Sequence, residues 1–282
     1  MEAVLSIGEA LKEGKRLLRE KGISSWSLDG DLIMINVSGL SKVELITKSH
    51  TLLSHEKKEE FFEYINRRLN LEPIQYIINH AEFMGLDFYV DKNVLIPRGD
   101  TECVIQPAIE YINENKCERI LDLCSGSGAI AISIAVYCKD TEAIWASDIS
   151  SEALEIVRKN SKLNKADNKI KTIQSDMFDK IEDCFDVIIS NPPYIEKEEI
   201  NKLLPNVKDY EPKIALDGGL DGLDFYRIIA SEAKKRLKDN GRVYLEIGSS
   251  QKEEVKKIFS SYTYICAIKD LYGLDRGLVF RK

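Results

Sequence analysis

The rhythm of apolar positions changes twice along the chain. From Glu2 to about Leu71 it is helical: Val4, Ile7, Leu11 and Leu18 follow at steps of three, four and seven, which sets them on one helix face. That face needs partners. Later segments offer Leu32, Ile33 and Ile35, then Val43, Ile46 and Leu52, then Phe61, Phe62, Tyr64 and Ile65 in a charged helix. Residues 1–71 therefore read as a small helical bundle. After Glu72-Pro73 the residues from Ile74 to Ile96 are often aromatic or β-branched, with Gly85 and Asp91-Lys92-Asn93 as turn signals. This predicts a β-hairpin linker over residues 72–99. Beyond Asp100 short apolar runs alternate with amphipathic stretches, and Arg119–Leu123, Ala143–Asp148, Ile170–Gln174, Phe185–Ser190 and Arg242–Ile247 read as strands. Such alternation predicts an α/β domain over residues 100–282, built on a parallel, doubly wound sheet. Two β-rich runs between Tyr262 and Lys282 would close it as a hairpin on the sheet edge.

Composition narrows the possibilities. Apolar residues make up 44% and charged residues 31% of 282, a globular balance with length enough for two unequal domains. The first residues lack the basic head and apolar stretch of a signal peptide, and no run approaches the ~20 apolar residues of a membrane span, so a cytoplasmic protein is expected. The six cysteines are scattered without a C-x-x-C pair and the three histidines do not cluster with them, which argues for reduced thiols and no metal site. A net charge of -7 speaks against unassisted binding to long nucleic acid.

The strand Ile120-Leu121-Asp122-Leu123 runs into Cys124-Ser125-Gly126-Ser127-Gly128 and then directly into an apolar helix, Ala129 to Val136. Glycines there permit a tight turn and let a nucleoside lie against bare backbone at the carboxyl edge of a sheet. Asp148 follows Gly128 by 20 residues and ends a strand, where its carboxylate can accept both ribose hydroxyls, or cap the helix from Ser151 onward. Spacing alone leaves a dinucleotide open. Asp122, however, would repel a pyrophosphate, whereas S-adenosylmethionine carries an ammonium and a sulfonium and no phosphate. The methyl donor is favoured, with Ile149 beside the ribose position. Asp176, Met177 and Phe178, after the third strand, sit where a loop would meet the adenine, or else serve as a helix cap and ordinary core.

Asp186–Ser190 reads as a buried strand that delivers Asn191-Pro192-Pro193-Tyr194 to the same sheet edge. Two prolines fix the backbone so that the Asn191 side chain and the Pro192 carbonyl can face a common point, a pair of acceptors into which a planar NH2 group fits. Tyr194 could stack on such a flat amide.

This motif resembles that of the amino methyltransferases, which act on adenine, cytosine or glutamine amide nitrogen. Within that group the chain resembles the bacterial release factor glutamine methyltransferases over nearly its full length. The residues that carry the resemblance are Pro73-Ile74-Gln75-Tyr76-Ile77, Phe83-Met84-Gly85-Leu86, Leu95 to Glu102, the glycine loop, Asn191 to Tyr194, Glu211-Pro212, Ala215-Leu216 and Gly218 to Gly222. It departs from the family pattern at Gly99, where a second proline is usual, and at Cys124, where glycine is usual. Gly99 is expected to loosen its turn.

The resemblance implies a Rossmann-like class I S-adenosylmethionine methyltransferase domain, with a mostly parallel seven-stranded sheet and a C-terminal antiparallel hairpin, preceded by a helical domain that helps hold the substrate. It implies methyl transfer from S-adenosylmethionine, leaving S-adenosylhomocysteine, to the glutamine of the Gly-Gly-Gln loop of class 1 peptide chain release factors, by a monomer that engages no nucleic acid directly. Asn191, Pro192 and Tyr194 would be catalytic. Asp122, Cys124, Ser125, Gly126, Ser127, Gly128, Asp148, Ile149, Asp176, Met177, Phe178 and Asn191 would bind the cofactor. Asn191 to Tyr194 with Arg98 and Thr101 would bind the substrate, although a helix cap accounts equally well for Thr101.

Two rivals share the chemistry. One methylates a glutamine of a ribosomal protein; the segment Asp100-Thr101-Glu102 after Ile96-Pro97-Arg98 resembles the release factor branch more closely. The other is an adenine-N6 DNA methyltransferase, for which residues 1–80, with 11 Lys and Arg against 12 Asp and Glu, offer no basic groove.

Overall fold

The structure is a computed structural model and describes residues 5–282. Its contacts divide into two compact units, the chain through Asn79 together with Pro205–Tyr210, and His80–Leu204 together with Glu211–Lys282.

The first unit holds α1 (Ile7–Glu20), α2 (Trp26–Ser38), α3 (Lys42–Thr47), α4 (His55–Leu69) and the single turn α5 (Ile74–Ile77). Serine side chains cap three of them: Ser6 and Ser41 form reciprocal capping boxes with Glu9 and Glu44, and Ser54 accepts from the Lys57 amide. Val4 lies outside the described residues. The buried stripe of α1 is Ile7, Ala10, Gly14 and Leu18, with Leu11 at its border. Small residues are needed because α4 comes very close: a methyl group at Gly14 would sit 2.7 Å from the Phe61 ring. Ile33, Met34, Phe61 and Ile65 complete the core. The expectation that Val43, Ile46 and Leu52 face inward is overturned, since all three are well exposed and Leu45 and Leu53 are buried instead. A helix of six residues makes under two turns, too few for a periodic stripe to be read.

In the second unit, β1 (Ala81–Phe83) and β2 (Leu86–Phe88) form a tight hairpin. Its two-residue turn, Met84-Gly85, has positive φ at both positions, 52° and 70°, the primed geometry that matches strand twist. Helix α6 (Gly99–Asn115) follows. Then come β3 (Arg119–Leu123), α7 (Ala129–Tyr137), β4 (Ala143–Asp148), α8 (Ser151–Leu163), β5 (Ile170–Gln174) and β6 (Phe185–Ser190). The short α9 (Pro205–Lys208) belongs to the first unit, and α10 (Asp224–Arg236), β7 (Leu237–Glu246), α11 (Lys252–Ile258), β8 (Thr263–Lys269) and β9 (Asp275–Arg281) complete the second.

The seven strands lie in the order β5-β4-β3-β6-β7-β9-β8, parallel from β5 to β7, with β9 antiparallel to both its neighbours. Strand β7 starts earlier than its apolar run, at Leu237 beside Phe185, because an irregularity in its pairing with β6 takes up Lys238 to Gly241 before regular register resumes at Arg242. The central strands are buried on both faces, which is why they read as continuous apolar runs. Chain direction across the sheet reverses between β3 and β6, so a crevice opens at their carboxyl ends.

Candidate active site

Four loops meet at that edge. Register puts Leu123 opposite Ser190, and the Ser190 hydroxyl donates to the Leu123 carbonyl at 2.6 Å, so the glycine loop and the Asn191 motif start side by side. A cavity of about 320 Å3 lies over them. It is lined by Cys124 to Ser127 after β3, Ser147 to Ser150 around the end of β4, Ser175 to Met177 after β5, and Asn191 and Pro193 after β6. Arg98 and Thr101, from the start of α6, also line it, with Ile130, Ile214 and Phe225 as apolar wall.

The expected residues that do not line it are Asp122, Gly128, Phe178, Pro192 and Tyr194. Phe178 is core. Gly128 shapes the loop: its φ is +81°, and a Cβ there would press on Ile132 and Val157 at 3.1 Å. Asp122 is fully buried; its Oδ2 accepts from the Ala131 amide at 3.1 Å, near the start of α7, while Oδ1 has no partner. Burial pushes its carboxyl up to about 8, with nearby Asp148 adding to the rise and the Ala131 amide opposing it.

Asp148 receives the Gly126 amide on Oδ2 and the Ser150 amide on Oδ1, each at 2.9 Å. It braces the glycine loop, and the capping of α8 falls to the Ser150 hydroxyl, which accepts from Ala153. Burial raises the Asp148 carboxyl, against amides that favour the ionised form. The buried hydroxyls of Ser125 and Ser147, both on the cavity wall, have no partner. Asn160 was not anticipated. Its Nδ2 donates to the Ser127 and Tyr89 carbonyls at 2.9 and 3.0 Å while its Oδ1 accepts from the Tyr89 amide at 2.7 Å, tying the glycine loop to the chain just beyond β2.

Asn191 donates its Nδ2 to Thr101 Oγ1 at 3.3 Å. Thr101 is buried within α6, whose N-cap is Arg98, so it is not a capping residue. Among the described residues no protein donor reaches Asn191 Oδ1 or the Pro192 carbonyl, so both acceptors of the motif are unused. The backbone that follows is clamped: Gln251 Nε2 donates to the Tyr194 carbonyl at 2.9 Å, and a Cβ at Gly218 would meet the Tyr194 Cα at 2.7 Å. This gives the glycines of the 218–222 segment a reason that sequence pattern did not supply. Arg98 is fastened to the buried carboxylate of Glu211, whose own Oε2 is buried without a partner.

The cavity therefore combines a nucleoside-sized cradle with buried acceptors and an asparagine whose oxygen has no protein partner. Residues 9–78 match the PrmC N-terminal domain model and residues 106–206 the methyltransferase small domain model. The release factor glutamine methyltransferase of Clostridium acetobutylicum is 41% identical over 96% of this chain and 97% of the relative. The chain belongs to the release factor glutamine methyltransferases. A second family member, from Agrobacterium fabrum, is 38% identical over 98% of both chains. Among solved structures, the ribosomal protein L11 methylase of Lactobacillus delbrueckii subsp. bulgaricus shares the fold, with a TM-score of 0.51 at 17% identity over 68% of this chain and 84% of that one.

Two departures from the release factor glutamine methyltransferase pattern are now explicable. Cys124 adopts φ 62°, a left-handed conformation that glycine takes freely, and its half-buried thiol, pushed up by desolvation, lies 3.8 Å from the Met177 sulfur. Gly99 is the first residue of α6, with ordinary φ and open space around it, a position that proline also suits. The expectation of a loosened turn gives way to a helix start.

Proposed function

We propose that the chain methylates the side-chain amide nitrogen, N5, of the glutamine in the Gly-Gly-Gln loop of class 1 peptide chain release factors, using S-adenosylmethionine. The observation that carries this reading is the pair of unused acceptors, Asn191 Oδ1 and the Pro192 carbonyl, beside a cavity bounded by the glycine loop. When bound, S-adenosylmethionine supplies an electrophilic methyl group on a sulfonium centre and leaves as S-adenosylhomocysteine. The buried Asp148 would accept ribose hydroxyls on lone pairs its two amide donors leave free, and the unpartnered Ser125 and Ser147 hydroxyls are acceptors and donors for the rest of that ligand. Asp122 lies behind the loop, where burial favours its protonated form while the site is empty, and Ile149, Asp176 and Met177 are the wall for the adenine.

A glutamine amide is a poor nucleophile because its nitrogen lone pair is delocalised into the carbonyl. Asn191 and Pro192 would take its two N–H groups, aim the nitrogen at the methyl carbon and favour a pyramidal geometry. Alignment of that kind is worth at most ~7–11 kcal/mol. No strong base is required beforehand, since the methylated nitrogen sheds its proton to water after the new bond to carbon has formed. Tyr194, just outside the cavity lining, would stack on the amide, and Arg98, held by Glu211, lines the cavity. Residues 1–71 would grip the release factor, as an N-terminal substrate-recognition domain, with 72–99 as the link to the catalytic residues 100–282.

The test is to incubate the protein with labelled methyl donor and purified termination factors, then to locate the label by peptide mass spectrometry. One methyl group on the Gly-Gly-Gln glutamine is expected. Label on a ribosomal protein or on DNA, with none on the factors, would overturn the reading.

A further inference from the structure

Arg98 is the one cation among the described residues that line the cavity. Pro97 precedes it, and it is the N-cap of α6, where its carbonyl accepts from the Thr101 amide at 3.1 Å. Thr101, one turn on, reaches Asn191. The arginine therefore stands at the Asn191 end of the cavity. Its side chain is 38% exposed, whereas that of Glu211, to which its Nη2 donates, is 1% exposed. A guanidinium carries donors only, so Glu211 Oε1 accepts from it in either state of the carboxyl. Among the described residues the guanidinium has no other protein partner, which leaves the donors on Nε and Nη1 unspent.

For stability alone this arrangement is poor. Glu211 is buried with its Oε2 unpartnered, and apolar side chains of similar size commonly match or better a buried ion pair. What the pair does achieve is to hold a planar donor fork still at the cavity wall. Beside it the wall is Pro97, Pro212 and Ile214, whose side chains offer no donor. The proposed substrate gives such a fork a use. The glycines of a Gly-Gly-Gln loop have no side chain, so the loop is recognised by its main chain and by the glutamine amide. Asn191 and Pro192 offer acceptors, which suit the amide N–H groups. Main-chain carbonyls of the loop need donors, and an arginine already fixed loses little freedom in supplying them.

We propose that Arg98 donates from its free guanidinium edge to main-chain carbonyl oxygens of the Gly-Gly-Gln loop, and that Glu211 is the positioning residue that holds the guanidinium in place for them. The proposal rests on the function proposed above. It concerns binding of the loop, and Glu211 touches neither the loop nor a reacting atom.

The experiment measures kcat and KM for one release factor in wild type, Arg98→Lys, Arg98→Met, Glu211→Gln, Glu211→Leu and the Arg98→Met/Glu211→Leu double variant, with S-adenosylhomocysteine affinity by calorimetry. Arg98→Met is expected to raise KM roughly 10- to 100-fold and to leave kcat within about threefold, the signature of a contact made equally in ground and transition states. Arg98→Lys keeps the charge but not the fork and should lose nearly as much. Glu211→Leu frees the guanidinium and should raise KM roughly 5- to 30-fold. Glu211→Gln keeps an acceptor and should stay within about threefold of wild type. The double variant should be no worse than Arg98→Met, because Glu211 acts through Arg98. It also carries the comparison if Arg98→Met fails to fold with Glu211 left unpaired. The KM effects should persist in about 0.5 M salt, as direct hydrogen bonds do and long-range charge attraction does not. Wild-type KM in Arg98→Lys or in Glu211→Leu, a KM rise abolished by salt, or a loss of S-adenosylhomocysteine affinity in Arg98→Met in place of the KM rise would each overturn the proposal and leave the proposed function standing. A wild-type protein that methylates no release factor would overturn both.

Discussion

Gly222 leaves no room for a side chain beside Tyr194: with φ at +70°, its missing Cβ would lie 2.4 Å from the Tyr194 carbonyl oxygen. The two residues are packed backbone to backbone, and Gln251 Nε2 donates to both of their carbonyls, at 2.9 and 3.2 Å. The loop that follows the Asn191 motif is thus shaped by a residue far along the chain.

Gly222→Ala should therefore displace Tyr194 and lower kcat roughly 10- to 100-fold while leaving S-adenosylhomocysteine affinity near wild type. Gly273→Ala is the control, since φ there is +80° but nothing lies within 4 Å. It should cost about 1–2 kcal/mol of stability from backbone strain alone and no activity. Steady-state kinetics beside denaturant unfolding distinguishes the two.

Asn191→Ala removes one of the two acceptors. Binding of the protein substrate should weaken by roughly 1–3 kcal/mol, with a larger loss in rate, because the amide is left without a partner when its geometry matters most. Calorimetry with S-adenosylmethionine should still report near-normal affinity. Normal turnover would refute the role of Asn191.

Stability without ligands should fall as pH rises. Burial lifts the Glu246 carboxyl from 4.5 to about 7 and that of Asp122 from 3.8 to about 8, so the folded chain holds both protons more tightly than the unfolded chain does. The folded state's advantage is complete below about pH 4 and is lost as pH climbs through 7 and 8. The groups that face Glu246 are Thr101, Asp100, Tyr194 and Arg276, and those that face Asp122 are the Ala131 amide and Asp148. Calorimetric unfolding between pH 5 and 8 should show a smaller decline in Glu246→Gln than in wild type, by about 3 kcal/mol at most. An equal decline in the two proteins would contradict the assignment.

In the helical unit, Gly14→Ala should cost roughly 1–3 kcal/mol, because the added methyl forces the Phe61 ring from its place. Gly22→Ala, at a positive φ of 83° with open space around it, tests strain without crowding. A Gly14 variant as stable as wild type would mean that α1 and α4 can separate at little expense. Chemical unfolding of the two variants provides the comparison.

Much of the catalytic unit was legible because its strands are buried on both faces. Arg119–Leu123, Ala143–Asp148, Ile170–Gln174 and Phe185–Ser190 have the bounds their apolar runs predict. The glycine loop and Asn191 were legible because turn chemistry is local. What stayed hidden depends on partners distant in sequence. Asn160 is an unremarked helix residue until the Ser127 and Tyr89 carbonyls come to its amide. Glu246 looks like any strand-end acid until the Tyr194 hydroxyl comes within 3.5 Å of its Oε1. Gly14 hides for the opposite reason, since an apolar count registers side chains and not the space their absence leaves. In α3, Val43 and Ile46 outnumber Leu45 as apolar candidates, yet Leu45 is the one turned inward.

Strand β9 follows β8 in the chain but does not lie at the sheet edge. Because β9 lies between β7 and β8, a nascent chain that has emerged only as far as β8 has an empty slot in its sheet next to β7. Until Asp275–Arg281 slots in, the main-chain donors and acceptors of β7 on that side are open to pairing with any passing strand. Translation of Asp275–Arg281 is thus the step that closes the sheet, and a premature stop just before Asp275 should yield a chain that aggregates rather than a slightly weaker enzyme.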